Sequence, residues 1–90
     1  MRTLLVGYDL NSPGQNYSGL LKALKGVPLW WHYLDSTWLV RTEETPVELR
    51  DRLSPHIDHG DELLVIEVTN RAAAWTGFDE RGAQWIKDNL

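Results

Sequence analysis

The sequence predicts an α+β domain with the element order β-α-β-β-α-β, and three observations predict it. Four short stretches are dense in β-formers and apolar residues: TLLVGY (3–8), LWWHYL (29–34), TWLVRT (37–42) and ELLVIEV (62–68). Between the first and second, Tyr17, Leu20, Leu21 and Leu24 recur at i, i+3, i+4 and i+7, the spacing of one helix face. Between the third and fourth, Thr45-Pro46-Val47-Glu48 reads as a capping box with proline at the first helical position.

Each element follows from local chemistry. The first strand is apolar on both faces and runs into Asp9, after which Asn-Ser-Pro-Gly (11–14) turns the chain. Asn16 caps the first helix, and Lys25-Gly26 ends it at a glycine. Asp35-Ser36 separates the second and third strands, which form a hairpin. The second helix turns Leu49 and Leu53 inward and stops near Pro55. After the fourth strand, RAAAWTGF (71–78) lacks periodicity, and DERGAQWIKDNL (79–90) reads as a short helix capped by Asp79, with Trp85 and Ile86 available for packing. This order is the split β-α-β, ferredoxin-like pattern: one antiparallel sheet with two helices on one face. The expectation is a single domain, with a core over 1–70 and a C-terminal tail over 71–90 that packs on the core or on a partner subunit.

Two helices leave the second sheet face bare, while Leu5, Trp30, Trp31, Trp38 and Leu39 alternate to both sides. That apolar surface must meet the tail, a ligand or a second copy, and a two-fold homodimer is the expected answer.

Composition restricts the function. Thirteen acidic against nine basic side chains give a net charge of −4, without the basic surplus of proteins that grip long duplexes through phosphates. There is no cysteine, hence no disulfide, thiolate metal site or thiol nucleophile. The opening run is too short for a signal peptide or a membrane span, so a cytoplasmic protein without membrane contact is expected. No P-loop is present, because GYDLNSPG lacks the lysine and the glycine spacing, and the serines and histidines form no triad motif.

Three candidate sites remain. Asp9 at a strand end offers a carboxylate to a hard divalent cation such as Mg or Mn; alternatively it only terminates the strand and bonds turn amides with Asn11 and Ser12. His56, Asp58, His59 and Asp61 have ligand chemistry, with imidazole suiting zinc or nickel, yet a polar loop containing Gly60 between helix and strand has the same composition. The aromatic set Trp30, Trp31, His32, Tyr33 and Trp38, with Arg41 nearby, could stack unpaired bases or simply fill a core and an interface.

The strand-end YDL, the helix NYSGLLKALK, the hairpin WWHYLDSTWLV and the strand DELLVIEV together resemble the SinR-like proteins. That group belongs to the superfamily of Cas-two, the CRISPR-associated adaptation protein, and of virulence-associated protein D. The resemblance covers roughly residues 2–70, and the tail fits the SinR-like group only. It implies a ferredoxin-like homodimer in which Asp9 from both subunits holds a divalent metal (Mg or Mn) at the dimer axis, with endonuclease activity on RNA or DNA ascribed to such a site. Ser36, at the start of the third strand, is a weaker match as a catalytic residue. The Cas-two pattern also places an arginine shortly after the aspartate, whereas residues 10–21 contain neither Arg nor Lys. That departure and the acidic charge favour a non-catalytic scaffold for protein or nucleic acid, with the metal-dependent nuclease as the alternative.

Overall fold

A computed structural model describes residues 1–12 and 16–90. Four strands, β1 (Arg2–Asp9), β2 (Leu29–Leu34), β3 (Thr37–Thr42) and β4 (Glu62–Glu67), form one antiparallel sheet in the order β2-β3-β1-β4. Helices α1 (Ser18–Leu24) and α2 (Pro46–Leu53) connect β1 to β2 and β3 to β4, and α3 (Glu80–Asn89) follows the sheet. The α+β, ferredoxin-like arrangement is therefore present, with the first strand in the middle of the sheet and β2 and β4 at its edges. The turn residues Pro13 and Gly14 lie outside the described residues.

Period-two alternation divides β1 between the faces. Leu4 and Val6 join Trp38 and Val40 of β3 beneath α1 and α2, where Leu20, Leu24, Leu49 and Leu53 are fully buried. The helices are held by local chemistry. Thr45 Oγ1 accepts from the Glu48 amide at 3.2 Å while Glu48 Oε1 accepts from the Thr45 amide at 2.9 Å, the expected capping box. Arg52 then clamps α2 to its surroundings, donating to both Glu44 carboxylate oxygens at 2.8 and 3.0 Å and to the Ala23 carbonyl at the end of α1 at 2.8 Å. This fork–fork hydrogen bonding holds the Glu44 carboxyl below its usual pKa and raises that of Arg52.

The second face is not bare. The chain turns at Asn70 and Gly77, both with positive φ (58° and 90°), and lays residues 71–90 back across it. Trp31, Leu39 and Ile86 form a second buried cluster, with Leu5, Trp75, Phe78 and Leu90 against it. Helix α3 is fixed at both ends. Asp79 caps the first turn by accepting from the Gly82 amide at 2.9 Å, and Trp31 Nε1 donates to the Gly82 carbonyl at 3.1 Å. At the other end Thr3 Oγ1 and Arg41 both donate to the Asn89 carbonyl, satisfying a terminal acceptor with a cation as the helix dipole favours. Arg41 thus serves the tail and is no part of an open platform. Gly82 is buried, and a Cβ there would lie 3.1 Å from the Tyr33 ring, so glycine allows the helix to approach β2 closely.

The tail therefore removes most of the reason for expecting a partner on the second face. What it leaves is the β4 half, where Leu64 and Ile66 remain 59% and 48% exposed on an edge strand.

Candidate functional site

Asp9 is the last residue of β1, exposed, and in register with Glu62 at the start of β4. Directly opposed residues of an antiparallel pair share a face, with Cβ atoms about 5 Å apart. Two carboxylates thus stand side by side on the second face, beyond the reach of the tail. Ser36 lies in the β2–β3 turn, where its carbonyl accepts from the Tyr8 amide at 3.1 Å. Asp9, Glu62, Ser36 and Thr37 line one shallow depression of about 470 Å³, floored by Gly7 and bounded by Leu64. The two residues singled out in the sequence therefore meet, and Glu62 joins them. Glu62 was not foreseeable, because its position depends on the pairing of strands more than fifty residues apart.

The donor chemistry suits a hard cation: oxygen ligands only, two carboxylates per chain, where magnesium takes one or two and fills its octahedron with water and phosphate oxygens. Among the described residues no group of three metal-ligating side chains converges, and no Lys or Arg lines the depression. A phosphodiester approaching without a metal would meet only negative charge.

The His56–Asp61 segment is a fastening. Asp61 accepts from the Asn11 amide and the Asp58 amide, each at 2.7 Å, and from the Tyr17 hydroxyl at 2.8 and 2.9 Å. It thereby ties the start of the β1–α1 connection to the loop before β4. Partial desolvation pushes the Asp61 carboxyl up, but the amide and hydroxyl donors outweigh it and its pKa lies below the ordinary value. Desolvation and the bond to Asp61 raise the pKa of Tyr17. His56 packs against α1, its Nδ1 only 2.8 Å from where a Cβ at Gly19 would stand. Asn16 accepts from the Ser18 amide at 2.8 Å, while Tyr17, expected on the inward helix face, instead precedes the helix and serves Asp61.

The aromatic set separates. Trp31 and Trp38 are buried, the latter donating through Nε1 to the Tyr8 hydroxyl at 3.0 Å and stacked on His32 at 3.9 Å. Trp30 and Tyr33 stay 40% and 43% exposed along the β2 edge, where Trp85 and Arg81 of α3 join them.

Compared with known proteins, the chain matches no family model, no curated protein and no solved structure. No helix among the described residues is long and apolar enough to cross a membrane.

Proposed function

We propose that the chain is a non-catalytic, Cas-two-like binding module that works as a homodimer, scaffolding a partner protein or nucleic acid, with the two copies meeting through β4. The observation that carries this reading is the exposure of Leu64 and Ile66 on an edge strand whose outer backbone groups have no partner within the sheet. An exposed apolar edge strand is a template for another strand, and soluble proteins cover it or pair it. Antiparallel pairing of β4 with its two-fold mate would join two four-stranded sheets, satisfy the open edge and set the two apolar rows side by side on one face, each shielding part of the other.

A metal-dependent endonuclease is the second reading, favoured by the meeting of Asp9, Glu62 and Ser36 in one depression. Asp9 and Glu62 would hold Mg or Mn, which when bound supplies an activated water and stabilises charge developing on phosphate. The two readings require different dimers only where the ion is shared between subunits. Pairing through β4 carries the two Asp9 residues to opposite ends of the joined sheet, roughly 20 Å apart from strand spacing and rise. That is too far to share an ion, so in a β4 dimer each chain would hold its own ion between Asp9 and Glu62, and only an ion shared between subunits needs the Asp9 ends on the axis.

Light scattering at micromolar concentration tests the first reading: about twice the 10.4 kDa chain mass is expected, falling to one chain in Ile66→Lys. A monomeric wild type refutes it. Metal-dependent cleavage of single-stranded RNA or duplex DNA that disappears in Asp9→Asn replaces it with the second reading.

A further inference from the structure

We infer that the β2 edge carries a second binding site, a cleft that takes a planar aromatic ring bearing a phosphate: an unpaired nucleotide, free or at the end of a single strand. This site lies on the opposite edge of the sheet from β4 and stands independently of the dimer. The cleft encloses about 370 Å³ between Trp30, His32 and Tyr33 of β2 and Arg81 and Trp85 of α3. That volume falls in the range of small-ligand sites, and the cleft brings residues from two distant parts of the chain to one place.

Its chemistry differs from the rest of the molecule. Four of the five lining residues are aromatic, the fifth is a cation, and none is a carboxylate, in a chain of net charge −4. Buried aromatics need no such explanation, since Trp31 and Trp38 already serve the two cores. Trp30 and Tyr33 are instead held in the open. Trp30 is steadied by Trp38 at 5.3 Å, and Tyr33 by Trp31 at 5.3 Å. Each buried tryptophan thus props an exposed ring. Lys25 Nζ lies 5.4 Å from the Trp30 ring centroid, and neither it nor Arg81 forms an ion pair among the described residues. A base entering the cleft would stack on Trp30, and Arg81, which lines the same cleft, offers a planar fork to its phosphate. His32 is turned away from this role, its Nε2 lying 3.1 Å from the Asp35 carbonyl.

The test titrates the full chain, followed by tryptophan fluorescence at low salt, with AMP, with UMP, with short oligo(dT) and with a duplex of matched length. Saturable quenching by oligo(dT), with the duplex much weaker, assigns the ligand to a single strand. Quenching by the mononucleotides alone assigns it to free nucleotides. In either case Trp30→Ala should weaken binding about ten-fold through the lost stack. Arg81→Gln, which leaves every aromatic in place, should weaken it and flatten its salt dependence. Arg50→Gln, on α2, should bind as wild type. Absence of saturable binding to any probe, equal binding of duplex and single strand, or unchanged affinity in Arg81→Gln overturns the inference.

Discussion

Replacing Ile86 by alanine tests whether the tail is an integral layer of the domain. Ile86 is 6% exposed and packs with Trp31 and Leu39, a cluster separate from the helix-side core. The change removes three carbons at about 0.8 kcal/mol each, hence about 2.4 kcal/mol of transfer free energy. The void left between α3 and the sheet raises the cost to roughly 3 kcal/mol. In a domain of 90 residues, 1 kcal/mol moves the melting temperature by about 4–8 °C, so a fall of roughly 12–24 °C is expected if tail and core unfold together. If the tail is released first, protease should cut the 71–78 stretch in the variant well below the global transition. Far-UV circular dichroism melts and limited proteolysis read these outcomes, with the exposed neighbour Lys87→Ala as the control. A variant that melts within about 2 °C of wild type and resists cleavage at 71–78 would refute the placement of α3 on the second face.

Three further expectations follow from individual contacts. Asp61 has its pKa lowered on folding, so its contribution to stability is complete above the ordinary carboxylate pKa and is lost as pH falls through the folded value. Tyr17, with its pKa raised, contributes below its ordinary value of 10.0 and loses that contribution as pH rises through the folded value. The melting-temperature gap between wild type and Asp61→Asn should therefore be widest in the neutral range and narrow at both extremes; a gap constant from pH 3 to 11 would contradict it. Arg52→Lys keeps the charge but loses the fork to Glu44, and should cost about 1 kcal/mol by denaturant titration, a modest figure because the pair is partly solvated. Asp9→Asn relieves a like-charge pair with Glu62, so the variant should melt at the same temperature or higher than wild type without metal, and magnesium should raise the melting temperature of wild type only if the pair binds it.

What could be read in the sequence was what neighbouring residues settle between themselves. Thr45, Pro46 and Glu48 specify the start of α2 within four positions, and Asp79 does the same for α3. The strands and their order along the chain were legible for the same reason. Pairing across long separations was not. Nothing near Asp9 indicates that Glu62 will face it, and nothing near Tyr17 indicates that its hydroxyl will leave the helix face for Asp61. The alternation of Trp30 and Trp31 was visible, but which of them would receive the tail depended on where α3 docks, a placement to which Gly82 contributes by leaving room for the Tyr33 ring. A glycine in a helix interior, otherwise about 1 kcal/mol worse than alanine, was the available signal.

The central position of β1 also bears on how the chain reaches its fold as it is made. Arg2–Asp9 leaves the ribosome before the other strands, yet its neighbours in the sheet are Thr37–Thr42 and Glu62–Glu67, and Thr3 closes on Asn89 across 86 positions. Until β3 emerges, an apolar strand with both edges open has no strand to pair with, whereas the β2–β3 hairpin can form from local sequence. Such separations slow folding relative to helical domains of equal length. The nascent chain is therefore most prone to associate with its neighbours on the same message while β1 waits, and codons that slow synthesis between residues 10 and 36 would lengthen that wait.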